Sequence, residues 1–150
     1  MKRIRRILHP SDFSPASRAA FARAVDMAKV NAATLLLVHV RSPVTPLIGD
    51  YISPQTFNQI EQSARAAWQK RLDALVTRAR KAGVRAQSLL LNGAPHVEIV
   101  RAARSKRADL IVMGTHGRSG LARLFLGSVA ERVVATALCP VLTVRGVRNG

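Results

Sequence analysis

Four residues in the last third of the chain have the types and spacing of a phosphate-binding segment. Gly114, Gly117, Gly127 and Ser128 form the pattern G-x2-G-x9-G-S, which starts where the apolar segment 109–113 ends. Glycines let a ligand approach bare backbone, and the free amides of a helix that opens at the Gly-Ser pair attract anions. The pattern therefore predicts an anion site, and a triphosphate fits it better than a neutral ligand.

The same residues also have a purely structural interpretation. Ser128 and Glu131 fit the capping-box pattern S-x-x-E, which any helix can carry, and the glycines between 114 and 120 fit an ordinary loop. Short motifs often match by chance. The position of the array after a strand and before a helix favours the ligand-binding interpretation.

The elements that must position this array alternate along the chain. Apolar runs predict strands at 4–9, 34–40, 84–91, 109–113 and 141–145, and helical periodicity predicts helices at 14–31, 55–82, 95–106 and 128–138. The longest helix has an apolar stripe from Phe57 to Ala79, which predicts a face packed on the core. Strands separated by helices pair in parallel, so the fold class is an open α/β sheet with helices on both faces.

In such sheets ligands bind outside the carboxyl ends of the strands. Asp12 follows the first predicted strand, the proline-rich loop 41–54 follows the second, and the glycine array follows the fourth. The chemistry is therefore expected at this edge of the sheet.

Length and composition predict one domain over residues 1–150, with a sizeable core, because 48% of the residues are hydrophobic. No apolar run approaches the roughly 18 residues of a membrane span, and residues 1–6 lack the apolar core of a signal peptide. These features predict a cytoplasmic protein without a membrane span. Cys139 has no partner in the chain for an internal disulfide, and packing is its expected role.

The charge of the chain is its second unusual feature. It has 24 Lys and Arg against 8 Asp and Glu, a formal charge of +16. Such a surface attracts nucleotides, nucleic acids and acidic membranes without selecting among them. Aromatic residues make up only 4% of the chain, too few for a base-stacking platform, so we predict no specific nucleic-acid partner.

No pattern in the sequence predicts an efficient enzyme. There is neither a P-loop nor a nucleophile elbow, and the acidic residues are scattered. His9 and His39 end predicted core strands and are expected to be hydrogen-bonded structural residues, whereas His116 lies within the array. Slow nucleotide hydrolysis stays open, because a positioned water and a base cannot be read from the sequence.

Taken together, these segments resemble the universal stress proteins, and the resemblance runs nearly from end to end. The segments that carry it are 7–14, 38–40, 109–120, 126–131 and 139–144. It implies a Rossmann-like sheet of five parallel strands in the order 3-2-1-4-5. It also implies a homodimer paired through the last strand, Val141 to Arg145. The intact glycine array is typical of the members that bind ATP. The resemblance therefore also implies that Mg²⁺ accompanies the triphosphate.

The resemblance also implies roles for individual residues in nucleotide binding. The implied contacts to nucleoside, adenine, ribose and phosphates fall, in chain order, on Pro10, Ser11, Asp12, Val40, Met113, Gly114, His116, Gly117, Arg118, Gly127, Ser128 and Val129. The leading hypothesis is therefore an ATP-binding regulatory protein of the stress response. Two alternatives remain: a dimeric adapter of the same fold that does not depend on nucleotide, and a basic protein that binds anions or nucleic-acid surfaces.

Overall fold

Strands and helices alternate along the chain, as the sequence predicts. The computed structural model describes residues 2–43, 52–115 and 126–146. Within these ranges the strands are β1 (Arg6–Pro10), β2 (Thr34–Arg41), β3 (Ala86–Asn92), β4 (Leu110–Gly114) and β5 (Val141–Val144). The helices are α1 (Pro15–Asn31), α2 (Pro54–Lys81), α3 (Pro95–Ser105) and α4 (Ser128–Thr136). None of these helices is both long and apolar enough to cross a bilayer.

The strands form one sheet in the order β3-β2-β1-β4-β5, and every pair is parallel. The implied fold class and strand order are thus confirmed. The chain winds from β1 to β3 in one direction and from β4 to β5 in the other. This reversal places a crevice between the carboxyl ends of β1 and β4, where ligands bind in sheets of this type.

Alternate residues of the central strands pack in two separate apolar cores, one on each face of the sheet. Ile7, Leu35 and Leu37 pack with α1 and α2 on one face, whereas Leu8 and Leu36 pack with α3 and α4 on the other. Each of these five side chains is almost fully removed from water. Because both faces of the sheet are covered, the strands read as continuous apolar runs in the sequence.

The predicted ends of several elements were wrong by one or two residues. β1 begins at Arg6 rather than at residue 4, because its pairing with β2 starts where Arg6 lies opposite Thr34. β2 extends to Arg41, which pairs with Asn92 of β3. Strand ends depend on the partner strand, which local propensity does not specify.

The apolar stripe of α2 is core-facing only in its second half. Leu72, Leu75 and Ala79 are buried, but Phe57 and Ile60 are 36% and 54% exposed. A helix of 28 residues is about 42 Å long, whereas the eight residues of β2 span about 26 Å. The first turns of α2 therefore extend past the carboxyl edge of the sheet, and the prediction of a continuous core-facing stripe was wrong there.

Candidate functional site

A cavity of about 630 Å³ lies at the carboxyl edge of the sheet, beside the ends of β1, β2 and β4. Nine residues with an implied nucleotide contact line it: Pro10, Ser11, Asp12, Val40, Met113, Gly114, Gly127, Ser128 and Val129. The other three, His116, Gly117 and Arg118, lie outside the described residues. The folded chain therefore brings residues from four separate segments of the sequence to one cavity.

The start of α4 forms one wall of this cavity and presents free amides. Gly127 is the N-cap residue, and no side chain in the described ranges caps the helix. The Gly127 amide donates to the carbonyl of Thr115, which ties the start of α4 to the end of β4. The next three amides, from Ser128 to Ala130, have no helical acceptor, because the first helical hydrogen bond runs from the Glu131 amide to the Gly127 carbonyl. They carry about half a positive charge, so this wall favours an anion.

The capping box predicted at Ser128 is absent. Helix α4 begins at Ser128, as predicted, but its cap residue is Gly127, since the Glu131 amide donates to the Gly127 carbonyl at 2.9 Å. Ser128 is therefore inside the first turn rather than at the cap position. The structural interpretation of this serine was wrong, and its exposed side chain lies at the cavity instead.

The carboxylate of Asp12 is held in place by the start of α1. Its Oδ1 accepts a hydrogen bond from the Ser14 amide at 2.9 Å and another from the Ser17 hydroxyl at 2.6 Å. Ser14 Oγ in turn accepts from the Ser17 amide and caps the helix. These bonds fix the Asp12 side chain in the folded protein. A ligand that contacts Asp12 therefore binds without the entropy cost of immobilising this side chain.

The two strand-end histidines are hydrogen-bonded to carbonyls, as a structural role requires. His9 Nδ1 donates to the Val112 carbonyl at 2.8 Å, and His39 Nδ1 donates to the Ser11 carbonyl at 2.7 Å. The His39 ring also stacks on Trp68, with ring centroids 4.4 Å apart. His39 thereby connects the turn after β1 to helix α2.

The opposite wall of the cavity comes from α2 and was missed by the sequence analysis. It consists of Phe57, Ile60, Glu61, Ala64 and Trp68. The apolar stripe placed most of these residues in the core. A comparison of element lengths could have found them, because a helix of 28 residues overshoots a strand of seven or eight.

Arg41 was also missed, because it starts a loop segment that the sequence leaves unassigned. Its side chain is 9% exposed, and Nη1 lies 2.7 Å from Glu61 Oε1, where the distance fits an ion pair but the angle does not fit a hydrogen bond. This pair connects the end of β2 to α2 across the cavity lining. The remaining unpredicted lining residues are Ser17, Val38, His39, Ser42, Pro95, Ile99, Thr115 and Ala130.

Gly114 is required by packing rather than by ligand approach alone. A Cβ atom built on it would lie 2.9 Å from the backbone carbon of Ala16 and 3.0 Å from its oxygen. The absent side chain therefore lets α1 pack directly on the end of β4. The two sequence interpretations, which explained this glycine by a ligand or by an ordinary loop, did not include this packing contact.

Substitution of Gly114→Ala should lower the free energy of unfolding by about 1–3 kcal/mol, because backbone must move to admit the methyl group. For a chain of this size, that corresponds to a melting temperature lower by roughly 2–10 °C, which differential scanning calorimetry measures. Gly146→Ala is the matched control. Its Cβ would meet the Cα of Ala16 at an ordinary 3.5 Å. Equal melting temperatures for Gly114→Ala and the parent would contradict the packing argument.

Comparison with known proteins agrees with this geometry. The model of the universal stress protein family matches residues 3–145. The chain belongs to the universal stress protein family. Universal stress protein MJ0531 of Methanocaldococcus jannaschii is 38% identical over 141 residues, which cover 94% of this chain and 82% of that protein. The family match confirms the resemblance seen in the sequence.

Solved structures of family members have the same fold. The structure of MJ0577, from the same organism, aligns with a TM-score of 0.83 at 27% identity and covers 99% of this chain and 100% of that one. A universal stress protein solved in complex with cAMP aligns with a TM-score of 0.72 at 26% identity, over 97% of this chain and 100% of that one. The fold and the strand order are thus those of the family.

Proposed function

We propose that this chain is a cytoplasmic, dimeric regulatory protein of the stress response that binds ATP in the cavity at the carboxyl edge of its sheet. The observation that carries the proposal is the start of α4, whose uncapped amides line the same cavity as Asp12 and the end of β2. One end of the cavity thus favours an anion, and the other offers backbone and a fixed carboxylate to a nucleoside.

In the proposed complex, the phosphates lie against Gly127, Ser128 and Val129. The nucleoside lies toward Asp12, and the base meets the backbone at Val40. Support comes from the volume of about 630 Å³, which is within the usual range for cavities that hold small molecules. The relative solved with cAMP supports the adenine nucleotide as the ligand class. His116, Gly117 and Arg118 are proposed to complete the phosphate side.

Magnesium would enter with the nucleotide. Asp12 and Glu61 are the carboxylates among the described lining residues, and each already has a partner on the protein. Mg²⁺ usually keeps several waters and takes one or two carboxylates beside the phosphates, so this donor set fits an ion held mainly by the triphosphate. Neither of these carboxylates belongs to the start of α4, so the described lining residues supply no carboxylate base beside the proposed phosphates, and we expect hydrolysis to be slow at most.

Calorimetry tests the proposal directly. Protein freed of nucleotide is titrated with ATP and Mg²⁺ up to millimolar concentration, and then with ADP and AMP. Saturable binding of one nucleotide per chain is expected, with affinity that falls as phosphates are removed, because the amides of α4 contact the phosphates. No binding at millimolar ATP would reject the proposal and leave the two alternatives, the nucleotide-independent adapter and the basic protein that binds anions or nucleic-acid surfaces.

The dimer is proposed to form through β5, which lies at one edge of the sheet and pairs within the chain with β4. The Ile111 amide donates to the Pro140 carbonyl and the Thr115 amide to the Val144 carbonyl, both at 3.0 Å. The backbone N–H and C=O groups of successive residues point to opposite sides of a strand. Those of Pro140 and Val144 point toward β4, so those of Thr143 face the open edge of the sheet. The nearby residue Leu138 is 80% exposed, which adds apolar surface for a second copy of the chain.

Replacement of Thr143→Pro should convert the dimer to a monomer, because proline removes an amide that faces the partner and leaves the bonds to β4 intact. Sedimentation equilibrium measures the mass. Thr143→Val is the control, since it keeps the amide and should stay dimeric. A folded Thr143→Pro protein that still sediments as a dimer would exclude pairing through β5.

A further inference from the structure

A second cavity, which we call the basic cleft, lies at the amino ends of the strands. It is at the opposite end of the sheet from the cavity proposed to bind ATP, which we call the nucleotide cavity. It has a volume of about 680 Å³, and its lining includes Lys2, Arg3, Arg5, Arg6, Arg85, Arg107 and Asp109. These residues precede or begin β1, β3 and β4, so the cleft crosses the amino ends of the strands. The five residues of β1 alone separate it from the nucleotide cavity by about 17 Å.

The basic cleft has a large excess of positive charge. Among the described residues, six cationic side chains line it against one carboxylate, a formal excess of five. That carboxylate is already committed, since Asp109 Oδ2 accepts from the amides of Arg5 and Arg6 at 2.9 and 3.0 Å. Its Oδ1 lies 3.6 Å from Lys2 Nζ. Among the described residues, Asp109 thus pairs with two amides and with Lys2 rather than with a guanidinium group.

The C-terminal ends of two helices neutralise only part of this positive charge. Arg6 Nη1 donates to the Lys106 carbonyl after α3, and Arg85 Nη2 donates to the Ala32 carbonyl after α1, each at 3.1 Å. These two arginines satisfy helix C-termini, which carry about half a negative charge each. One unit of negative charge from two helix ends leaves most of the excess uncompensated.

Three arginines of the basic cleft have no such partner. In the parts of the chain that the structure describes, the guanidinium groups of Arg3, Arg5 and Arg107 make neither a hydrogen bond nor an ion pair. All three residues are exposed. Arginine stays charged at every physiological pH, so the repulsion among these groups is permanent. An anion in the cleft would relieve it and would gain charge-assisted hydrogen bonds.

We propose that the basic cleft binds a compact anion with several contiguous phosphate groups, and that Arg3, Arg5 and Arg107 are its ligands. From Arg85, before β3, to Arg107, before β4, the cleft crosses three strand spacings, or about 14 Å. A short row of phosphates matches this length. The site is separate from the nucleotide cavity, so it does not depend on the proposed function.

The lining favours phosphates over nucleic acid or a lipid bilayer. The part of it that the structure describes contains no aromatic side chain on which a base could stack. Its uncharged members are Ala32 and Thr34, which offer almost no apolar surface for insertion into a bilayer. A concave surface also follows a compact ligand better than a flat membrane.

Calorimetry with inorganic tripolyphosphate tests the proposal, at about 50 mM and about 200 mM salt because the binding is electrostatic. The test protein carries Arg3→Gln, Arg5→Gln and Arg107→Asn; asparagine is chosen because Arg107 has a φ of 53°. The control protein carries Arg23→Gln, Arg65→Gln and Lys70→Gln, three exposed helical positions that give the same change in net charge. Gly127→Val is included to disable the nucleotide cavity.

Tripolyphosphate should bind the parent more tightly than orthophosphate does. Its affinity should fall by about tenfold or more in the test protein, and it should change by less than about twofold in the control protein and in Gly127→Val. Equal losses in the test and control proteins would overturn the proposal, because net charge alone would then explain binding. Loss in Gly127→Val would place the anion in the nucleotide cavity. Tighter binding of a single-stranded oligonucleotide or of phosphatidylserine vesicles would overturn the compact ligand.

Discussion

Substitution of Gly127→Val should weaken ATP binding by about 100-fold, or about 2–3 kcal/mol, in calorimetry with Mg²⁺. Gly127 lines the cavity where the proposed phosphates meet α4. Its φ of −58° and ψ of 154° are open to any residue, so valine does not strain the backbone there. The expected loss therefore comes from the bulk of the side chain at the phosphate position rather than from unfolding.

Two measurements separate this effect from damage to the fold. Gly127→Ala adds one carbon rather than three and should give an intermediate loss, and thermal unfolding should remain cooperative in both variants. The dimer should also persist in Gly127→Val, because the substitution leaves unchanged the backbone groups of Thr143 that face the open edge of β5. Parent-like ATP affinity in a folded Gly127→Val protein would exclude phosphate binding at this helix start.

Stability should fall by about 3 kcal/mol as the pH is lowered from 6.5 to 4, because of His9. Burial lowers the pKa of this side chain from 6.5 to about 4, against the opposing effects of its bond to Val112 and of Asp12. The unfolded chain therefore binds a proton in this range that the folded chain excludes. At 1.36 kcal/mol for each pKa unit, the loss begins below pH 6.5 and is complete below pH 4.

The variant His9→Asn isolates this effect, since its amide can still donate to the Val112 carbonyl but does not titrate. Urea unfolding between pH 4 and 7.5 should give a steep decline for the parent and a flatter curve for the variant. Asp109 acts at lower pH. Despite partial burial, the Arg5 and Arg6 amides and Lys2 lower the pKa of Asp109, so its contribution is lost below its ordinary value of 3.8. Parallel curves for parent and variant would exclude His9 as the titrating group.

The sequence was sufficient for the fold because its strands are buried on both faces. Runs such as Leu35 to Val38 have no alternation to misread, and the helices between them force parallel pairing. The strand order came from the family resemblance rather than from the periodicity. Errors were confined to element ends, where Arg6 and Arg41 gain their strand character from pairing with neighbours.

The candidate site was only half predictable. The segments at strand ends, such as Asp12 and Gly127, follow from topology and a local pattern. The α2 wall does not, because the apolar residues Phe57, Ile60 and Trp68 have the same helical spacing whether they face the core or a cavity. Arg41 was not predicted, because it starts the proline-rich segment that the sequence predicts as a loop. The packing role of Gly114 depends on its contact with Ala16, which is distant in the sequence.

Cys139 illustrates the opposite case, in which composition alone was enough. A single cysteine before Pro140 was expected to pack rather than react. The structure places it half-buried against the apolar cluster under α3 and α4, and burial raises the pKa of its thiol. A raised pKa disfavours the reactive thiolate at neutral pH.

The central claim is that amides at the start of α4 coordinate nucleotide phosphates. The crystal structure of the complex with ATP and Mg²⁺ tests it most directly, through the distances from the phosphate oxygens to the amide nitrogens of Ser128 and Val129. Distances of about 2.7–3.2 Å are expected, as in ordinary N–H···O hydrogen bonds. Phosphates found elsewhere, or a helix start covered by the protein's own chain at saturating nucleotide, would contradict it.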